Sequence, residues 1–151
     1  MELYFKVKIN YSYYFFRLLL VSIYLINILI IIKLRMKKIY YLSTCDTNKR
    51  ILKELNLPKD FIKQDLKTNP VSEKELEELH QFSKSYEALI NKRARLYNER
   101  NLKDKVTKEA DYKKLLLDHY TFLKRPVLIN KKEIFIGNSK KVVAAAKESL
   151  I

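Results

Sequence analysis

The sequence has one cysteine and two histidines among 151 residues. A single cysteine excludes an intramolecular disulfide framework, a thiolate zinc cluster and any Cys-x-x-Cys dithiol closed within the chain. Thiol chemistry, if there is any, rests on Cys45 alone. His80 and His119 belong to no His-Glu-x-x-His pattern and neither sits beside the cysteine, so no resident metal or bound cofactor is expected. The length allows one ordinary globular domain and leaves little room for a second.

Acidic groups are also scarce, with 17 Asp and Glu against 31 Lys and Arg. Residues 1–35 carry Lys6, Lys8, Arg17, Lys33 and Arg35 against Glu2, and the remaining 26 basic and 16 acidic groups leave a surplus of +10 beyond them. These lysines are scattered singly among glutamates along helical segments, which reads as a solvated surface rather than a nucleic-acid face. No direct nucleic-acid contact is expected. An acidic protein partner is compatible with the same surplus.

Residues 18–32 run without a charge, and extension back to Tyr13 adds only Arg17. A stretch from Tyr13 to Ile32 is marginally long enough to span a bilayer. Lys33, Arg35, Lys37 and Lys38 follow it, so the positive-inside bias places the C-terminal domain in the cytoplasm. No small-residue cleavage site follows the run, which argues against a signal peptide. Three readings stay open at this point: a membrane anchor, a helix packed on the domain, and a prefix outside the functional protein. The last follows from Met36, which immediately precedes a first strand, and from the 20 Phe, Ile, Asn, Lys and Tyr residues among the first 35, all AT-rich codons. The chain is therefore divided into 1–35, a hydrophobic extension, and 36–151, the domain.

Lys38-Ile-Tyr-Tyr-Leu42 is a short apolar run that reads as a buried strand. Ser43 to Thr47 supply helix-start chemistry, and Ile51, Leu52 and Leu55 share one side of the helix that follows, which ends near Pro58. Residues 61–65 form a second strand. Ser72 and Glu75 make a capping box for a helix facing inward through Leu76, Leu79 and Phe82, with His80 on its flank. Tyr86, Leu89 and Ile90 continue a helical pattern, and Thr107 is expected to cap a further helix carrying Tyr112, Leu115 and Leu116. The period then changes: Val127–Ile129 and Glu133–Ile136 flank Asn130-Lys131-Lys132 as a β-hairpin. Gly137 ends that hairpin, and Asn138 or Ser139 opens a last helix. The order is βαβ, a helical insertion, then ββα, an α/β domain of thioredoxin-like type with helices on both faces of a mixed sheet.

Cys45 thus falls where a strand turns into a helix. A sulfur there is stabilised as thiolate, the nucleophilic form, by the helix dipole and by unpaired backbone N–H groups. The same N–H groups cradle an oxyanion. Lys49 and Arg50, one turn on, add positive charge. Arg125-Pro126 precedes the hairpin, and the peptide bond between them is either trans, the commoner state, or cis, which brings Arg125 towards the Cys45 turn.

Five ordered blocks carry a resemblance: Thr44-Cys-Asp-Thr-Asn-Lys-Arg-Ile51, Asp65-Leu-Lys-Thr-Asn-Pro70, Ser85-Tyr-Glu-Ala-Leu-Ile-Asn-Lys-Arg93, Tyr120-Thr-Phe-Leu-Lys-Arg-Pro-Val127 and Phe135-Ile-Gly-Asn-Ser-Lys-Lys-Val142. They resemble the arsenate-reductase-like (ArsC/Spx-type) family of thioredoxin folds over nearly all of 36–151 and none of the first 35 residues. The resemblance implies a cysteine, here Cys45, that attacks bound arsenate. Glutathione or another small thiol then joins the arsenic-bearing sulfur as co-substrate, and a glutaredoxin completes the reduction. It assigns anion binding to Arg125, to Arg93 and to Lys49, with Thr44 and Pro126 as structural neighbours of the site. Strict alignment places Asn91, rather than Arg93, at the second anion position. A third arginine of the reductases falls at Gly137, and Asn48 stands where some relatives carry a second cysteine. A mixed disulfide on another protein is an alternative substrate. The rival implication is a non-catalytic regulator docking on RNA polymerase.

Overall fold

The computed structural model describes residues 13–28 and 36–151. The chain divides into two compact units, Met1–Arg35 and Met36–Ile151, and each is taken by itself. In the first, residues 13–28 form a helix, α1, whose large apolar side chains from Tyr13 to Ile26 are 47–70% exposed. Among the described residues no helix is long and apolar enough to cross a membrane. The expected span from Tyr13 to Ile32 lies partly outside the described residues.

The second unit runs β1 (Lys37–Tyr41), α2 (Asp46–Leu55), β2 (Ile62–Asp65), α3 (Glu73–Ser83), α4 (Tyr86–Leu89), α5 (Arg95–Glu99), α6 (Glu109–Asp118), a 3-10 turn (Tyr120–Phe122), β3 (Val127–Asn130), β4 (Glu133–Ile136) and α7 (Lys140–Glu148). The sheet order is β2-β1-β3-β4. β1 pairs parallel with β2, while β3 is antiparallel to both β1 and β4.

Alternation along the central strands produces two cores. Successive side chains point to opposite faces, so Ile39 and Leu128 face one layer while Tyr40, Val127 and Ile129 face the other. The first layer is closed by Ile51 and Leu55 of α2 and by Val143 and Ala146 of α7. The second is closed by the helical insertion, through Leu76, Leu79, Leu89, Tyr97, Tyr112 and Leu116. β3 is buried along its whole length because both layers press on it. This is the thioredoxin-like architecture expected from the element order, with helices on both faces of a mixed sheet.

Local chemistry sets the boundaries. Asn56 takes a left-handed conformation, φ 43°, and ends α2. The capping box of α3 is present: Ser72 Oγ accepts the Glu75 N–H, and Glu75 accepts the Ser72 N–H at 2.8 Å. α7 opens on Ser139, whose Oγ accepts the Val142 N–H. Three features differ from expectation: α4 stops at Leu89 and leaves Ile90 extended, α5 has no counterpart in the sequence reading, and the start of α6 is set differently. Thr107 does not cap α6, which begins at Glu109 after Lys108 and has no side-chain cap. Glu109 is instead drawn to the start of α4, where it accepts the Ser85 hydroxyl at 2.8 Å and the Tyr86 N–H at 2.6 Å. A carboxylate satisfying free donors at a neighbouring helix start offsets the missing cap on its own.

Candidate active site

Cys45 is the residue from which α2 springs, with extended backbone dihedrals of −101° and 113°. Its N–H donates to the Leu42 carbonyl at 3.1 Å, and its carbonyl accepts the Lys49 N–H at 3.0 Å. The turn is braced from two directions: Asn48 Oδ1 accepts the Leu42 N–H at 2.9 Å, and Asp65 Oδ1 accepts the Ser43 N–H at 3.2 Å. Ser43 also helps hold the Asp65 carboxyl below its ordinary range. No side chain caps the first turn of α2. Its leading backbone donors are therefore left for a ligand rather than for the protein itself.

Cys45 is partly exposed and lines a cleft of about 700 Å³. Arg125 and Arg93 lie on the same cleft, as do Asn91, Lys92, Lys124, Gly137 and Asn138. Arg125 arrives through the peptide bond before Pro126, which is cis. Its Nη1 is buried and has no hydrogen-bond partner. Burial lowers the Arg125 pKa from its ordinary value, while the Cys45 sulfur and the Tyr120 phenol act in the opposite sense. Burial does not remove the charge, since an arginine stays protonated throughout the working range.

The opposite wall comes from the segment after α4. An antiparallel bridge ties Ile90 to Leu123, and the Asn91 N–H donates to the Phe122 carbonyl at 2.6 Å. This bridge is what sets Arg93 and Lys124 on one cleft. Lys124 Nζ donates to the Ala88 carbonyl at 2.9 Å, and its pKa is lowered by burial first and then by Lys92 and Arg93. Among the described residues Glu87 is the only carboxylate on the cleft, and Lys92 already pairs with it at 2.5 Å. Among the described residues, no carboxylate forms an ion pair with Arg93 or Arg125. Cations gathered without counter-charges favour an anionic ligand.

The remaining sequence candidates are placed differently. Lys49 does not line the cleft: its Nζ lies 3.0 Å from Asp46 Oδ1, on the exposed side of α2. Thr44 is exposed in the turn before Cys45 and also stays off the cleft. Pro126 is buried beneath, against Ile51, Leu55 and Val143. Both Asn91 and Arg93 are on the wall, so the two alignments of the second anion position converge on one place. Lys124 was missed in the sequence although it adjoins Arg125. Nothing in a surface-rich lysine composition singles out that one. Among the described residues no cluster of His, Cys, Asp and Glu is suited to hold a metal ion.

No curated protein sequence matches the chain significantly. Its fold is shared with an arsenate reductase from Vibrio cholerae, at a TM-score of 0.62 and 19% identity over 77% of this chain and 99% of that one. It is likewise similar to an arsenate reductase (ArsC) related protein from Brucella melitensis, at a TM-score of 0.56 and 21% identity over 72% and 92% of the two chains. At these identities the likeness is one of fold. The ArsC family model matches residues 40–146, which takes in Cys45, both walls of the cleft and most of α7. By that match the chain belongs to the ArsC family.

Proposed function

We propose that the protein is a thiol-dependent oxidoreductase in which Cys45 attacks an anionic substrate held by Arg125, with Arg93 or Asn91 completing the hold. The observation that carries this reading is the buried Arg125 Nη1 without a hydrogen-bond partner, on a residue that lines the same cleft as Cys45, where the helix start is left uncapped. The arrangement supplies a nucleophile, a fixed positive charge and backbone donors together.

With arsenate as substrate, the Cys45 thiolate forms an S–As bond and one hydroxyl leaves arsenic as water. An external thiol, glutathione in the family's reductases, then attacks that sulfur. The new S–S bond forms as the S–As electron pair stays on arsenic, reducing As(V) to As(III). A glutaredoxin reduces the resulting disulfide. Asn48 occupies the place of a second cysteine, so the resolving thiol comes from outside the chain. A mixed disulfide on another protein uses the same attack, with a thiolate as leaving group.

The test is the alkylation rate of Cys45 by iodoacetamide with and without arsenate or sulfate. Protection by either anion that disappears in Arg125→Ala supports the reading. An alkylation rate indifferent to both anions and to the substitution sinks it.

Anchoring is a separate proposal. It rests on the apolar surface of α1 together with the uncharged sequence that continues to Ile32. Membrane fractionation of the full chain, with a carbonate wash, tests it: recovery in the supernatant overturns the anchor.

A further inference from the structure

Arg125 stands on the wall of two cavities. One is the Cys45 cleft, and the other, about 340 Å³, is walled by Arg95, Glu99, His119, Tyr120 and Thr121 together with Arg125. The second belongs to no step of the chemistry above.

Its polar lining is almost all donors. His119 Nδ1 accepts the Thr121 N–H at 3.2 Å and lies 2.7 Å from Thr121 Oγ1. In the neutral ring the proton is therefore on Nε2, which is left to donate. The His119 ring stacks on Tyr120, with centroids 4.6 Å apart and planes 27° from parallel, so the two rings fix each other's place. The Tyr120 phenol and the Arg125 guanidinium line the same cavity. Among the described residues Glu99 is the only carboxylate on this wall, and Arg95 already pairs with it at 3.2 Å. One guanidinium without an acid partner, a phenol and an imidazole N–H thus face a wall whose acid is already paired with Arg95.

We propose that this second cavity binds a small organic oxyanion, a carboxylate or a phosphate monoester, and that Arg125 couples its occupancy to the Cys45 cleft. The size argues for an organic ligand, since small-molecule sites begin at about 300 Å³ and a bare inorganic ion fills far less. Arg125 presents a fork of donors but only one positive charge. Anions on both sides share that charge and repel each other, so each weakens the other. The weakening is reciprocal, by the same factor in both directions. Occupancy of the cavity does not depend on Cys45 being reactive; only the coupling rests on the proposed function.

The experiment is isothermal titration of the full-length chain with succinate and, separately, with glycerol 3-phosphate. It is run on the native sequence, on Arg95→Ala and on Tyr120→Phe, beside arsenate protection of Cys45 from alkylation. The Arg95 side chain is 91% exposed, so its truncation leaves the core untouched. Saturable binding of at least one probe is expected, weakened about tenfold in Arg95→Ala and about threefold in Tyr120→Phe. The saturating probe should raise the arsenate concentration for half-protection by about three- to tenfold, and arsenate should raise the probe Kd by the same factor. Binding of one probe alone identifies carboxylate or phosphate as the ligand chemistry. No saturable binding of either probe, or binding unchanged in both variants, overturns the site. Probe binding that leaves arsenate protection unchanged overturns the coupling. Absence of any arsenate protection counts against the Cys45 reading, while the calorimetry still decides the cavity.

Discussion

The side chain of Asn48 accepts the Leu42 N–H at 2.9 Å, and this bond closes the turn that presents Cys45. Asn48 is 2% exposed and sits in the first turns of α2, where it braces the segment that follows β1. Asn48→Ala leaves a part-buried backbone donor without its partner and should destabilise the domain by about 1–2 kcal/mol. Asn48→Asp, which keeps the acceptor, should recover part of that loss. Urea unfolding followed by circular dichroism measures both, and equal stability of all three proteins refutes the brace.

Arg125→Lys separates charge from geometry at the anion site. A lysine keeps the positive charge but loses the planar fork that binds an oxyanion through two parallel bonds. Losing one charge-assisted bond of about 1.5–3 kcal/mol should raise the arsenate concentration for half-protection of Cys45 by roughly ten- to a hundredfold. Protection at unchanged concentration means that Arg125 serves only as a nearby charge.

Gly137 lies on the cleft with φ 97°, and a Cβ built there meets no atom within 4 Å. Gly137→Arg puts a guanidinium at the position to which the resemblance assigns the reductases' third arginine. The left-handed backbone should make this variant less stable by about 1–2 kcal/mol. Arsenate protection should nonetheless tighten by about tenfold. Protection no tighter than in the native protein excludes Gly137 as the vacant ligand position.

Acid stability should depend on Glu75. Burial alone raises its pKa, but hydrogen bonds from Lys38, Ser72 and Gln64 outweigh burial and bring it from 4.5 down to about 2. Its ion pair with Lys38 spans 2.6 Å. A carboxyl lowered on folding contributes stability that is fully present above its unfolded value and is lost as pH falls from about 4.5 to about 2. Because the group is partly exposed, solvent screening reduces the contribution to about 1–2 kcal/mol. Glu75→Gln keeps the shape of the cap and should flatten the stability profile over that window. Profiles that run parallel through the window refute the assignment.

Much of the architecture was legible locally. The capping box of α3 follows from Ser72 and Glu75 lying three residues apart. Strand alternation at Ile39-Tyr40 and Val127-Leu128-Ile129 already prescribes two apolar layers. Cys45 at a strand-to-helix turn is a statement about neighbouring residues only, and it needed no tertiary information. Thr107 shows the limit of that reasoning. Its sequence suits a cap, but Glu109 found donors at the start of α4, a partner that no local pattern reveals.

What the sequence determined by itself is therefore the order of the strands and of the longer helices, the lone nucleophile and the basic surplus, since backbone hydrogen bonds, caps and side-chain periodicity act over a few residues. What only the tertiary structure decided is which charges share a cleft with Cys45. Lys49, one helical turn from Cys45, is held by Asp46 away from the cleft, whereas Arg125, Arg93 and Lys124 come to it from distant segments. Their meeting depends on β3 lying beside β1 and on the Ile90–Leu123 bridge. Those pairings form because burying both faces of the sheet fixes the strand order, and charge placement then follows from packing rather than from spacing along the chain.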